Sequence, residues 1–270
     1  MMTGQRLREA LHAGTRVYGS CLINPSVAAI PRYAQLDFAF IDNEHTPLGR
    51  ASTMALCQGY RAHGVAPIVR IPVADPILAC MALDGGAEGI ICPYMEDPDR
   101  LREMVGAVKY RPLKGIKLAA FLKDGTGVSA ETRAYLEHRN RNCVLIINVE
   151  SVPALDRLDA LLAVSGLDGV LVGPHDLSVS LDIPEQYEAP EFIAAVERII
   201  AKARAAGLGV GIHYWQSLER ELHYVRKGAN FIVHSSDVAE AAHAIDTALS
   251  SLRATLGDAP PTPAADAEVI

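Results

Sequence analysis

A (β/α)8 barrel is the fold class this sequence predicts, and three observations carry it. Short apolar, β-branched runs alternate with longer helical patterns along the 270 residues. Most of those runs are apolar throughout rather than alternating, as parallel strands covered on both faces require. The polar residues with chemistry to offer fall at the C-terminal ends of the runs, where barrels of this kind carry their sites. An open doubly wound sheet is the rival arrangement, but no G-x-G-x-x-G follows the first run.

Taken in order, the strand candidates are "VYGSCLI" (17–23), "FAFID" (38–42), "PIVRI" (67–71), "GIICPY" (89–94), "LAAF" (118–121), "VLIINVE" (144–150), "GVLVGP" (169–174), "GVGIH" (209–213) and "FIVHS" (231–235). Nine candidates are one too many for eight strands. "LAAF" is discarded, because it sits in a basic, Gly-containing stretch with no clear helix separating it from "GIICPY". Helices are read over "DPDRLREMVGAVKY", "SVPALDRLDALLAVSG", "PEFIAAVERIIAKARAAG" and "SLERELHYVRKG". Several open on Asp, Ser or Pro and stop at Gly, the residues that satisfy or terminate helix ends.

Half of the residues are hydrophobic and 21% are charged, which suits one soluble domain able to bury a sizeable core. The expected domain runs over 1–257, with 258–270 a disordered tail rich in Pro, Ala and Asp. A net charge of −7 argues against nucleic acid or an anionic membrane as a partner. No apolar run approaches the ~20 residues of a membrane span, and "MMTGQRLREALHAG" does not read as a signal peptide. Five scattered cysteines without C-x-x-C spacing read as reduced thiols, so a cytoplasmic protein is expected.

The strand ends are where function shows. The second run closes on Asp42, Glu44 and His45, and the third delivers Arg70. The run at 144–150 ends in Asn148 and Glu150, and the next leads into "GPHDLS" with His175 and Asp176. The last two end in His213 and in His234-Ser235-Ser236-Asp237. Each has a structural alternative: Asp42 or Asp176 as a cap, Arg70 as an ion-pair partner, His213 and His234 as satisfied core histidines. Gathered on one rim, they would need several coincidences at once.

Glu150 and Asp176 together ask for a cation or a shared proton, since neighbouring strand ends bring like charges close. Two carboxylates without a Cys or a compact His cluster suit a hard, oxygen-loving ion, Mg²⁺ or Mn²⁺. Zinc would call for H-x-H or H-x-x-x-H spacing, which does not occur. A glycosidase also uses paired carboxylates, but 6% aromatic residues and one Trp leave little to stack sugars on.

The stretches "FIDNEHTP", "PIVRIP", "LDGGAEGIICPYMEDPDRLREMVGAVKYRP", "VLIINVES" and "GLDGVLVGPHDLS" resemble, in order and spacing, the HpcH/HpaI-type aldolases. These are class II, metal-dependent aldolases and lyases within the phosphoenolpyruvate/pyruvate barrel superfamily, and the likeness runs from about Gly19 to Asp237. The resemblance implies roles. Glu150 and Asp176 match the ligands of a divalent metal (Mg²⁺, Mn²⁺ or Co²⁺), and His45 matches the general base with Asp42 as the carboxylate that orients it. Arg70 matches the cation beside a substrate keto oxygen. Asp84, in "ALDGG", matches a residue that supports the base of an adjoining subunit, so a homo-oligomer built on trimers, a hexamer, is implied, with the C-terminal helix sharing in its contacts. Asn148 and the segment Gly173, Pro174, His175 and Asp176 match positions that hold the substrate.

What the resemblance implies in function is cleavage or formation of a 4-hydroxy-2-oxo acid, giving pyruvate or a related 2-oxo acid plus an aldehyde. An arginine and a metal at the keto oxygen would stabilise enolate charge that develops in the transition state. An imidazole, which ordinarily titrates near neutrality, suits the proton transfer. The alternative keeps the enolate and changes the electrophile, as in a citrate-synthase-like or acyl-CoA lyase relative; "KGIK" at 114–117 is the one modest basic site for CoA. A non-enzymatic barrel fits the intact set of His45, Arg70, Glu150 and Asp176 least. Departures from the family pattern bear on the acceptor: a 113–127 stretch without the usual Arg, Asn148 in place of a longer Gln, a large His175, and His213, Tyr214 and Trp215 at another rim loop.

Overall fold

Eight parallel strands close into one barrel in strict sequence order: β1 (Val17–Leu22), β2 (Phe38–Asp42), β3 (Ala66–Arg70), β4 (Gly89–Cys92), β5 (Val144–Val149), β6 (Gly169–Val172), β7 (Gly209–Tyr214) and β8 (Phe231–Ser236). The structure is a computed structural model that describes residues 1–214 and 217–260, without the side chain of Tyr214. The expectations attached to the Tyr214 side chain, to Trp215 and to residues 261–270 of the tail therefore lie outside the described residues. Each of the eight retained runs is a strand. The discarded stretch 118–121 is helical instead, inside α5 (Gly115–Asp124), where the Phe121 ring meets Tyr110 edge-on at 4.8 Å.

Two separate layers of apolar side chains follow from strand alternation. One set points inward, including Phe38, Phe40, Ile68, Ile91, Ile146 and Phe231. Phe38 and Phe231 stack at 4.3 Å across the interior. A Cβ on Gly19 would lie 2.3 Å from the Phe38 ring, so this ring has its place because position 19 has no side chain. The outward set packs under the surrounding helices. These are α2 (Arg50–Ala62), α3 (Pro76–Asp84), α4 (Pro98–Lys109), the short α7 (Val152–Asp156) and α8 (Leu158–Leu162), α10 (Pro190–Ala205) and α11 (Leu218–Arg226). A 3-10 segment, 27–32, stands where a first barrel helix would be, and α6 (Ala130–Arg139) follows α5. Side-chain caps set several starts: Asp75 on α3, Asp97 on α4 and Ser151 on α7.

The N-terminal helix α1 (Gly4–Ala13) closes the bottom of the barrel. Leu7 and Leu11 are fully buried in the inner layer, worth roughly 2 kcal/mol each for side chains of this size. Polar contacts fix the helix there. Glu88 accepts from the Gly4 N–H at 2.7 Å and pairs with Arg61 at 3.1 Å. Asp168 accepts from Lys109 and from the Leu145 N–H, and lies 3.3 Å from His12. A Cβ on Gly4 would sit 1.8 Å from the Asn142 carbonyl oxygen, so the helix can enter here only through glycine.

At the other end of the chain, α12 (Asp237–Leu256) has no buried residue over its twenty positions. Ile245, Leu249, Leu252 and Leu256 are all exposed. The outer face of β1 and β8 is correspondingly open, with Tyr18 and His234 about half exposed. None of the described helices is long and apolar enough to cross a membrane.

Candidate active site

The mouth of the barrel is built first by two neighbouring strands. Asp42 and Arg70 end β2 and β3 and are direct register partners. Both are almost fully buried, and they meet at two points: Arg70 Nε to Asp42 Oδ1 at 2.9 Å and a terminal guanidinium nitrogen to Oδ2 at 2.6 Å. The guanidinium also lies over the Phe40 ring, 5.2 Å from its centre. Burial pushes the Asp42 carboxyl up, but the hydrogen bonds and charge of Arg70 outweigh it and hold the group below the usual carboxylate range.

After β2 the chain turns sharply, with the Glu44 N–H donating to Asp42 Oδ1 at 3.0 Å. This aims the Glu44 carboxylate back at the mouth, where its Oε2 is 3.1 Å from Arg70 Nε and 3.6 Å from His45 Nε2. The family resemblance implies Asp42 as the carboxylate that orients His45. In the structure Asp42 spends its oxygens on Arg70 and the Glu44 N–H, no hydrogen bond joins it to His45, and the carboxylate beside the imidazole is that of Glu44.

Across the mouth, β5 supplies Asn148 and Glu150. Glu150 is buried and doubly held: Oε1 accepts from the Tyr94 N–H at 2.8 Å, and Oε2 from Asn148 Nδ2 at 2.9 Å. Tyr94 has φ 47°, in the left-handed region where a non-glycine residue is strained, and that twist delivers its N–H to the carboxylate. Gly173 completes the pocket wall; a Cβ there would lie 2.1 Å from Glu150 Oε2. Gly173 leads into α9 (Pro174–Ser180), so Pro174, His175 and Asp176 form its first turn, with His175 and Asp176 exposed on the mouth side. Asp176 is not a cap; Gly173 occupies that place. The cap of α7 is Ser151, which leaves the Glu150 carboxylate to the mouth.

Burial raises the Glu150 carboxyl above its ordinary range. Asn148 and the Tyr94 N–H oppose that rise, and the nearby charges of Asp176 and Glu44 add to it. Glu44 is raised likewise by burial, with Arg70 opposing and Asp42 and Asp176 adding. The mouth thus holds Asp42, Glu44, Glu150 and Asp176 against the Arg70 guanidinium, a surplus of negative charge that a divalent cation would relieve. Asn148 Oδ1 is buried with no hydrogen-bond partner, a further oxygen facing an unmet demand. No group of three or more His, Cys, Asp and Glu side chains suited to a metal occurs among the described residues. Glu150 and Asp176 offer carboxylate oxygens, the donor type that suits a hard cation.

His213 ends the inward column of β7. Its Nε2 is 3.2 Å from the Ser235 carbonyl oxygen, and its ring meets Phe40 edge-on at 5.8 Å. Burial holds its pKa down, to about 4, so the ring is neutral near pH 7. Two further residues lie away from the mouth. His234 points out of the barrel and pairs with Glu221 at 2.7 Å, because β8 already commits Phe231 and Val233 to the interior. Asp84 lies at the far end of α3, away from this chain's own mouth, paired with Arg111 at 2.7 Å. The Tyr94 N–H and the back-folding of Glu44 escape the sequence, since neither a left-handed residue nor a tight turn announces itself in "CPYM" or "DNEH".

A family model described as HpcH/HpaI aldolase/citrate lyase matches residues 20–244. The chain belongs to this family. A hydroxypyruvate/pyruvate aldolase from Deinococcus radiodurans is 35% identical over 242 residues, 86% of this chain and 83% of its own length. A 2-keto-3-deoxy-L-rhamnonate aldolase from Salmonella gallinarum is 29% identical over 259 residues, covering 91% and 92%. The crystal structure of an HpcH/HpaI aldolase from Desulfitobacterium hafniense superposes with a TM-score of 0.79 at 28% identity, over 92% of this chain and 96% of that one. As an HpcH/HpaI aldolase the protein is a carbon–carbon lyase of the class II type, which works with a divalent metal.

Proposed function

We propose that this chain cleaves and forms 4-hydroxy-2-oxo acids, with pyruvate or hydroxypyruvate as the 2-oxo acid and an aldehyde as the second partner. The observation that carries the reading is the doubly held Glu150, set with Asp176 on one side of a mouth whose other side is Arg70. Glu150 and Asp176 would hold the cation (Mg²⁺, Mn²⁺ or Co²⁺), with Asn148 and the turn Gly173–His175 along the 2-oxo acid. When bound, the cation supplies Lewis-acid stabilisation of negative charge on the 2-keto oxygen. Arg70 donates to that same oxygen, and Asp42 keeps the guanidinium aimed there. In the cleavage direction His45 takes the proton of the C4 hydroxyl, the C3–C4 bond breaks, and its electron pair passes into the enolate. The aldehyde departs, and C3 then takes up a proton to give the 2-oxo acid.

The outer surface supports a homo-oligomer. An exposed twenty-residue α12 and an open face on β1 and β8 of the same chain suit exchange of that helix between copies, which would bury both. Asp84, remote from its own mouth, then has a route to a neighbour's His45. A trimer-based hexamer is the reading this favours. The five cysteines are free thiols, as suits a reducing cytoplasm.

Retro-aldol assays on a panel of 4-hydroxy-2-oxo acids, after EDTA and after return of Mg²⁺, Mn²⁺ or Co²⁺, test the reading. Metal-restored release of pyruvate or hydroxypyruvate is expected. Full activity in EDTA, or a borohydride-trapped adduct on lysine, would overturn it.

A further inference from the structure

We infer that Ser235 is a specificity-determining residue whose hydroxyl meets a hydroxyl on C3 of the 2-oxo acid, so that this mouth tells hydroxypyruvate from pyruvate. The inference rests on the proposed seating of the 2-oxo acid between Arg70 and Glu150, and supplies a contact for its remaining substituent.

The backbone of β8 sets the residue up. Its register against β1 shifts, from Val233 opposite Gly19 to Ser236 opposite Cys21, so β8 carries one extra residue there. Ser235 lies in that bulge with φ 47°, the left-handed region that strains a residue with a side chain. Its carbonyl oxygen meets His213 Nε2 at 3.2 Å, and a carbonyl only accepts, so the neutral His213 ring carries its hydrogen on Nε2. Ser235 is 1% exposed, and its buried hydroxyl oxygen has no hydrogen-bond partner. The outer face of the sheet is open here, with the preceding His234 half exposed, so alternation turns the Ser235 side chain inward. An unpartnered buried hydroxyl and a left-handed serine both cost stability, and sites that take a ligand are where such features persist.

The substrate's own shape points to the same wall. C2 of a 2-oxo acid is planar with three substituents. In the proposed seating the keto oxygen goes to Arg70 and the Glu150 side, and the carboxylate to the turn Gly173–His175. C3 is left to face β7, β8 and β1, which are neighbours in the barrel. The inner side of β1 offers only Val17, Gly19 and Cys21. Of the described buried side chains on this wall, Ser235 alone has a polar atom without a partner. It is not remote from the chemistry: the His213 ring meets Phe40 edge-on at 5.8 Å, and the Arg70 guanidinium lies 5.2 Å from the centre of that same ring. Asn148, across the mouth, is equally buried and likewise has an unmatched oxygen. A methyl at C3 leaves the Ser235 hydroxyl unpaired, whereas a hydroxyl at C3 gives it a partner, and that difference lets a site discriminate against the analogue lacking the group.

The test assays full-length, Mg²⁺-loaded protein for addition of pyruvate and of hydroxypyruvate to one aldehyde, in the parent, Ser235→Ala and Ser235→Gly. The ratio of kcat/KM for hydroxypyruvate to that for pyruvate should fall about tenfold in both variants, the upper size of one neutral hydrogen bond, with most of the change in the KM for hydroxypyruvate. The urea midpoint should hold or rise in both, because the hydroxyl removed has no partner within the folded chain. An unmoved ratio overturns the inference, and so does a lowered midpoint, which would mean that the hydroxyl serves the fold. A further arm pairs pyruvate with glycolaldehyde and with acetaldehyde; a variant effect confined to the hydroxylated aldehyde overturns the assignment to C3. Absence of metal-restored activity with either 2-oxo acid in the parent fells instead the reading of the reaction on which the inference rests.

Discussion

Asp42 and Arg70 are register partners on adjacent strands and are joined by two hydrogen bonds, 2.9 and 2.6 Å, with both side chains almost out of reach of solvent. The strand that leads into Glu44 and His45 and the strand that ends in Arg70 are thereby tied at their tips. Removing one partner would leave the other charge buried with half its compensation.

Asp42→Asn should destabilise the protein by about 3 kcal/mol, the size of effect seen when a buried pair loses one charge, read as a shift in the urea midpoint. The depressed Asp42 carboxyl also makes stability depend on acid. The folded state resists its protonation, so this contribution is full above the ordinary carboxylate range and is lost as pH falls through the lower folded value. In Asp42→Asn that part of the acid sensitivity should vanish.

His45→Ala should lose about 10²–10⁴ in kcat, while Mg²⁺ affinity stays near that of the parent, because Glu150 and Asp176 remain. Calorimetric titration of Mg²⁺ beside steady-state assays separates the two. Loss of metal binding in this variant would place His45 elsewhere.

Glu150→Gln should abolish tight metal binding with the barrel still folded by circular dichroism. In the parent, the raised Glu150 carboxyl means that protons compete with the cation at a higher pH than for a free side chain. Metal affinity should therefore weaken steadily on acidification, and binding should release protons. Affinity that does not change between neutral and mildly acidic buffer would exclude Glu150 as a ligand.

His213 predicts a second acid effect of distinct origin. Its pKa is lowered from 6.5 to about 4 by burial. Between those values the unfolded chain binds a proton that the folded chain refuses, so stability falls as pH drops from about 6.5 towards about 4 and the loss is complete below. Thermal denaturation across that range should show a drop in Tm that His213→Leu flattens.

Shortening the chain at Asp237 removes α12, none of whose residues is buried in the same copy. The truncated protein should keep a folded barrel yet sediment as a smaller species, with activity lost to the extent that a neighbour completes each mouth. A truncated form that keeps the parent's assembly would exclude the helix from the contacts.

The eight strands were legible because parallel strands covered on both faces leave unbroken apolar runs, and "LAAF" betrayed itself by its basic, Gly-flanked setting. His234 could have been turned outward from sequence, since Phe231 and Val233 fix the parity of β8. Asp84 was readable as lying off its own mouth, because the nine residues of α3 carry the chain back down the barrel. Which carboxylate faces His45 was beyond reach. It depends on Arg70, 28 residues from Asp42, capturing both oxygens of that side chain, and on a turn that folds Glu44 back. The closing of the barrel by α1 was hidden for a similar reason: an amphipathic helix tells which side it buries and not which opening it enters.

That closure makes the barrel a cul-de-sac. With Leu7 and Leu11 stoppering one end, everything that reaches Glu150 enters and leaves past the same rim. A 2-oxo acid held between Glu150 and Arg70, as proposed, would come first and go last, and the aldehyde above it would form a queue of one. A slow-leaving aldehyde would therefore throttle the turnover of a 2-oxo acid it never touches chemically again, and the dimensions of the rim around His175 and His213 would govern the throughput of the enzyme as well as its choice of partner.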